Sequence, residues 1–341
     1  MSSSLPPSAI VRLLDEHVIG QEAAKRTLAV AIYTHYRKME KAAVDLVEVA
    51  KSNILMIGPT GTGKTLLCET LARILDVPFV TADATSLAQT QFVSEEIEAI
   101  LHRLLDRANG DLIRAQRGIV FVDEVDKLKA SSGQARATSG ESVQHALLKI
   151  MEGSPVRLSD GQHIDTTHIL FICGGAFVGL DNILTKTHTF GFISTNDGDD
   201  QKILERLNAR VKPTDLLEFG LIPEFAGRLP IVTRLNELTH DMMIRIMTEP
   251  RNAIYRQFSA MLHADDVELH IEPVVFRQIA DLAIEYKAGA RSLRGIFEEM
   301  MTDILYAIPD NPAIRKVAIA SLFEPPRYLG RKESAVNPEK G

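Results

Sequence analysis

Five short apolar runs punctuate the first two thirds of the chain: Asn53 to Ile57, Phe79 to Thr81, Gly118 to Val122, His168 to Cys173 and Pro230 to Thr233. Within each run the apolar positions are continuous rather than alternating, the pattern of strands covered on both faces. Between them the apolar spacing turns helical, as in Leu67, Leu71, Ile74 and Leu75, or Ile97, Ile100, Leu101 and Leu104. This rhythm predicts an α/β fold, a parallel sheet flanked by helices. After about Asn236 only the helical period persists, in Met243, Ile246 and Met247, then Phe276, Ile279, Leu282 and Ala283, then Leu293, Ile296, Phe297, Met300, Met301 and Ile304. A second, small and mainly helical C-terminal domain is predicted there, with the Met and Phe stripes as its core. The expected layout is a disordered tail over 1–10, a large domain over 11–235, a small domain over 236–324 and a flexible tail over 325–341.

Composition narrows the function classes. The chain has 341 residues, 45% hydrophobic and 24% charged, the proportions of an ordinary globular protein. Its formal net charge of -7 and the lack of a long Lys/Arg run argue against a large cationic face, so no nucleic-acid partner is expected. Cys68 and Cys173 are too few for a disulfide framework or a four-thiolate zinc site and read as small buried residues. His163 and His168 have no carboxylate cluster in the sequence around them and read as surface or packing residues. Met1-Ser-Ser-Ser-Leu-Pro-Pro lacks the layout of a signal peptide, and no apolar run reaches the roughly 20 residues of a membrane span. A cytoplasmic protein without a membrane partner is expected.

The chemistry sits at the ends of two strands. The first runs into Gly58-Pro59-Thr60-Gly61-Thr62-Gly63-Lys64-Thr65 and on through Leu66 into a helix, a P-loop in its strand-loop-helix setting. Glycines there let backbone N–H groups turn toward phosphates, Lys64 reaches the outer phosphates, and Thr65 offers a hydroxyl to Mg²⁺. The run Gly118 to Val122 ends in Asp123-Glu124, the Walker B arrangement. Asp123 would hold the Mg²⁺ shell and Glu124 would polarise the attacking water. ATP and Mg²⁺ are the expected cofactors.

Several stretches resemble the ClpX family of AAA+ protein unfoldases. They are Leu14-Asp15-Glu16-His17-Val18-Ile19-Gly20-Gln21, Ala115 to Val120, Ser139-Gly140-Glu141, Ala146 to Lys149, Ile169 to Phe177, Gly220 to Phe225 and Gly289-Ala290-Arg291. The similarity runs from about Leu13 to Leu305, and the sister unfoldase HslU fits less well. The resemblance implies an AAA+ P-loop NTPase fold with a small C-terminal lid domain, assembled as a homo-hexamer that threads unfolded or tagged protein through a pore. It further implies that Val18 and Ile19 flank the adenine and that Arg228 is an arginine finger reaching a neighbouring subunit's ATP. Arg291 falls at the sensor-2 position. These, with Glu124, make up the implied catalytic set.

The chain also departs from the family pattern. No cysteine cluster of the family's zinc-binding domain precedes the ATPase, so zinc is not expected. Where family members carry Gly-Tyr-Val-Gly in the pore loop, this chain has Gln91-Phe92-Val93-Ser94, with Phe92 and Val93 as the substrate grip or, alternatively, Phe92 as a core residue of the following helix. The basic loop of the pore mouth is missing; the matching stretch, Ser154 to Thr166, offers only Arg157 and His163. Phe190-Gly191-Phe192 stands where the family docks on a ClpP-type peptidase, or is buried. Two other functions compete: a AAA+ nucleic-acid motor or loader, and a nucleotide-switched scaffold that does not translocate protein.

Overall fold

The computed structural model describes residues 5–42, 51–90, 92–129, 134–188 and 210–330. These fall into two compact units: Met1–Arg12, Glu22–Pro59 and Lys64–Leu235 make up one, and Leu13–Gln21, Thr60–Gly63 and Asn236–Gly341 the other.

In the first unit, β1 (Ile54–Ile57), β2 (Phe79–Asp83), β3 (Ile119–Asp123), β6 (Leu170–Gly175) and β7 (Ile231–Arg234) form one sheet in the order β2-β3-β6-β1-β7. All four pairings are parallel. The central strands are buried along their whole apolar length, which is why the sequence shows runs rather than alternation. Phe121 and Phe171 are fully buried, and truncating either to Ala would cost about 3–5 kcal/mol. The helix Val93–Arg107 contributes Ile97, Ile100, Leu101 and Leu104 to the same core cluster.

Ser154 to Thr166, the stretch that matches the family's basic loop, contains a hairpin of β4 (Pro155–Arg157) and β5 (His163–Asp165). Ile164 and Leu158 are its buried apolar anchors. Gly161, at φ +86, supplies the left-handed turn residue. Each strand has three residues, too few for a visible period of two.

Among the described residues the second unit has four helices after Asn236, namely His240–Thr248, Ile254–Ala264, Pro273–Glu285 and Ala290–Ala307. Their inner faces carry Met243, Met247, Phe276, Ile279, Leu293, Phe297 and Met301, all in one core cluster. Phe258 stacks on Phe297 with centroids 5.2 Å apart. A three-stranded sheet joins them, with β8 (Glu268–Ile271) parallel to β9 (Ile314–Ile319) and β10 (Arg327–Gly330) antiparallel to it.

Both predicted tails need correction. Pro7–Asp15 is a helix rather than part of a disordered tail over 1–10, because Ile10 and Leu14, four apart, are both buried and Pro7 opens it. The flexible tail over 325–341 is likewise cut back, since Arg327–Gly330 pairs with β9 and buries Tyr328. Polar and Pro-rich composition hid both elements.

A cavity of about 830 Å³ lies in the first unit, and the basic residues Arg26, His35, Lys38 and Lys51 are among those that line it. His35 is buried, and its Nε2 lies 3.0 Å from the His168 carbonyl. Burial lowers its pKa from 6.5 to about 4 against the opposing effect of that hydrogen bond, with the charges of Lys51, His168 and Lys38 adding to the fall. Burial also lowers Lys51 to about 7, partly offset by Asp165. The unfolded chain takes up a proton on His35 near pH 6.5 that the folded chain refuses until about pH 4. His35 therefore lets stability fall as pH drops through that window, by up to roughly 3 kcal/mol. Chemical denaturation at pH 7 and pH 5 should show the loss, and His35→Gln, which keeps a donor but cannot be charged, should remove most of the slope.

Candidate nucleotide site

β1 ends at Ile57, and its last carbonyl accepts a hydrogen bond from Leu235 N–H at 2.7 Å, while Gly58 N–H donates to Gly175 O at 3.1 Å. The chain then turns through Gly61 at φ +78 and Gly63 at φ +96, left-handed conformations natural only to glycine. It re-enters regular structure at Lys64, first residue of the helix Lys64–Leu75. Lys64 is buried, and its Nζ donates to the carbonyls of Gly58 at 2.7 Å and Pro59 at 3.0 Å. The ammonium is thus folded back under the loop that precedes it. Leu66 is exposed on the outer side of that helix.

β3 delivers two carboxylates to the same end of the sheet. Asp123 Oδ1 accepts the N–H of Glu124 at 2.9 Å, and its Oδ2 lies 3.5 Å from Thr65 Oγ1. A hydroxyl and a carboxylate side by side are the hard oxygen donors that Mg²⁺ takes. Glu124 is exposed and left-handed, at φ 60 and ψ 30. A non-glycine residue held there costs on the order of 1 kcal/mol or more, a cost found where a side chain must be aimed. Nearby Cys68 is fully buried, and burial together with the Asp123 charge pushes its thiol pKa up, leaving it chemically inert.

The structure adds a residue that the sequence reading overlooked. Asp126, in the 3-10 turn Val125–Leu128, is buried, and its Oδ2 accepts Phe177 N–H at 3.3 Å. It ties the turn after Glu124 to the segment that follows β6. Its Oδ1 is buried without a hydrogen-bond partner among the described residues and occupies the space where a side chain at Gly175 would stand, 2.5 Å from the position of a Cβ. A third carboxylate, two positions beyond Glu124 in Val125-Asp126-Lys127-Leu128, was the signal available.

In the second unit, Val18 and Ile19 are both buried and follow the helix Pro7–Asp15. Beyond them, the Gln21 side chain exchanges two hydrogen bonds with the backbone of Asn236, at 2.8 and 2.9 Å. Thr62 is buried, Thr60 is exposed, and Gly61 O accepts Ala290 N–H at 3.2 Å. Arg291 is exposed in the first turn of the helix that begins at Ala290.

Arg228 caps the short helix Pro223–Gly227 in the first unit and is ion-paired with Glu152. Phe92, at the N-cap of Val93–Arg107, is 61% exposed and so is not the core residue of that helix; Val93 packs partly against the core. Phe190, Gly191 and Phe192 lie outside the described residues. Among the described residues no group of three or more His, Cys, Asp or Glu is placed to hold a metal ion, and no helix is long and apolar enough to cross a membrane.

The P-loop and acidic strand end fall within the first of two family matches. Residues 49–232 match the AAA domain (Cdc48 subfamily), and residues 238–315 match the C-terminal, D2-small domain of ClpB protein. The ATP-dependent Clp protease ATP-binding subunit ClpX of Treponema denticola is 44% identical, an alignment covering 98% of this chain and 81% of the relative. The subunit of the same description from Azotobacter vinelandii is 48% identical over 89% of this chain and 74% of the relative. The chain belongs to the ClpX family of AAA+ ATPases.

As a ClpX-family member it is an ATP-hydrolysing enzyme, with the AAA+ P-loop fold described above. The close fit of Gly175 against the Asp126 carboxylate yields a direct test of how this ClpX-family site is built. Gly175→Ala would drive a methyl group into Asp126 Oδ1 and the Phe177 ring, whose Cε2 is 2.8 Å from the Cβ position. A loss of about 1–3 kcal/mol in stability is expected from such overpacking, read by urea denaturation, together with weakened ATP turnover in the fraction that remains folded.

Proposed function

We propose that the chain is an ATP-driven protein unfoldase that works as a homo-hexamer, threads polypeptide through a central pore and hands it to a ClpP-type peptidase. One observation carries this reading: a P-loop lysine and threonine beside a paired Asp-Glu strand end, in a chain that is ClpX-like over nearly its full length. The curated relatives are by name ATP-binding subunits of the Clp protease.

The residue roles follow from chemistry. Backbone groups from Gly58 to Gly63 cradle the phosphates of ATP, Lys64 exchanges its carbonyl partners for phosphate oxygens, and Leu66 flanks the cradle. Thr65 and Asp123 would hold Mg²⁺, which supplies charge neutralisation on the phosphates. Glu124 orients the attacking water. Val18 and Ile19 bracket the adenine, Arg291 senses the phosphates, and Arg228 stabilises transition-state charge on the ATP of a neighbouring copy. Zinc has no part in this scheme. The cytoplasm is the proposed compartment, in keeping with two buried thiols that form no disulfide.

Phe92 and Val93 are assigned to the pore grip. An exposed aromatic ring packs against many polypeptide sequences without needing a specific partner, and 61% exposure leaves the ring available for such packing. Phe190, Gly191 and Phe192 remain the proposed peptidase plug.

Glu124→Gln keeps shape but loses the carboxylate, so ATP should still bind while turnover falls about 100-fold or more. Undiminished hydrolysis in a phosphate-release assay would remove Glu124 from the mechanism. The wild-type ATPase should rise with an unfolded protein and not with single-stranded DNA; stimulation by DNA alone would favour a nucleic-acid motor. Phe92→Ala should keep basal hydrolysis and lose most unfolding of a tagged fluorescent reporter. Unfolding at the wild-type rate would exclude threading by this loop and leave the nucleotide-switched scaffold.

A further inference from the structure

Asn53 stands immediately before β1 and is 1% exposed. Its side-chain amide donates to two backbone carbonyls, Met151 at 3.2 Å and Arg228 at 3.1 Å. Arg228 N–H in turn donates to Phe225 O at 3.1 Å. The main chain of Arg228 is therefore pinned beside the last turn of the helix Gln134–Glu152. Glu152 follows Met151 directly, and its Oε1 accepts from Arg228 Nη2 at 2.6 Å and from Nε at 2.9 Å.

An exposed Arg-Glu pair is ordinarily a loose association of two mobile side chains. Here one buried amide sets the backbone at one partner and at the residue next to the other, before the side chains meet. Both Nε and Nη2 converge on a single oxygen, which fixes the plane of the guanidinium as well as its location. The arginine nevertheless stays 50% exposed and the glutamate 41%. A buried pair would trap the arginine, because separating it would strand a charge away from water. A half-exposed pair biases the rotamer by only a few-fold and yields readily to a phosphate.

We propose that Glu152 is a positioning residue for Arg228. It holds the guanidinium in an outward-presented rotamer, from which it exchanges a carboxylate oxygen for the terminal phosphate of a nucleotide bound by a neighbouring copy. The inference rests on the reading of Arg228 as a finger acting in trans. Asn53 gives the arrangement its rigidity, since it links Arg228 to the foot of the strand that carries the P-loop.

The test is steady-state ATPase of the full chain with Glu152→Ala, Glu152→Gln and Arg228→Ala, with ring assembly by sedimentation and thermal melting measured on each. Glu152→Ala should lower kcat by about two- to five-fold, the scale of an exposed ion pair, with KM for ATP, assembly and melting unchanged. Glu152→Gln keeps an acceptor oxygen in the same reach and should recover at least half of the loss. The inference is overturned by wild-type or raised kcat in Glu152→Ala, by a loss that enters through KM, assembly or melting, or by a loss that the Gln variant does not relieve. Arg228→Ala separates the two readings. If it retains full turnover, the trans-finger role itself is wrong; if it is inactive while Glu152→Ala matches wild type, the finger stands and only the positioning role falls.

Discussion

Parallel pairing of β1, β3 and β6 is the constraint on which the catalytic end of the first unit depends. With Ile57 opposite Gly175 and Val122 opposite Cys173, the three strands finish together at one edge. Whatever follows them in sequence is delivered to the same place: Lys64 and Thr65 after β1, Asp123 and Glu124 at the end of β3, and Phe177 beyond β6. An antiparallel neighbour would send the acidic pair to the opposite edge, too far for Thr65 and Asp123 to meet. This is the general reason that ligands sit beyond the carboxyl ends of parallel strands. The burial that enforces the pairing is apolar and nondirectional, while the register that aligns the ends comes from the backbone ladder.

At that edge, and at the opposite one where Asn53 precedes β1, the backbone is held firmly and the side chains proposed to react are held lightly. Asp126 ties the turn after Glu124 to Phe177, and Asn53 ties Arg228 to the helix end at Met151. Both anchors are buried, where a hydrogen bond is strong and its loss expensive. Glu124 and Arg228, by contrast, are exposed, one presented by a left-handed backbone and the other by a half-exposed ion pair. In the proposed mechanism these groups exchange partners in each turnover, which a stiff backbone permits and a side chain locked by its own contacts would not.

The apolar runs that announced the five-stranded sheet were legible because each strand is covered on both faces. The P-loop was legible because its glycines and Lys64 have few other reasons to occur together between a strand and a helix. Less was visible where composition and geometry diverge. The helix Pro7–Asp15 and the strand Arg327–Gly330 sit in polar, Pro-rich ends, and their burial depends on tertiary partners rather than on local pattern. β4 and β5 are too short to show a period, and β8 and β9 were hidden among stronger helical signals.

By itself the sequence determined the fold class, the phosphate-binding loop, the acidic strand end and the kinship with ClpX, since all four reside in short contiguous patterns or in residue identity along the chain. Tertiary structure alone decided which side chains share a neighbourhood. Asp126 meets Phe177 across 51 residues, and Asn53 meets Arg228 across 175. It also settled that Phe92 faces solvent rather than its helix's core, and that Arg228 rests on Glu152. Exposure and pairing of this kind are set by how distant segments pack, and local periodicity carries no record of them.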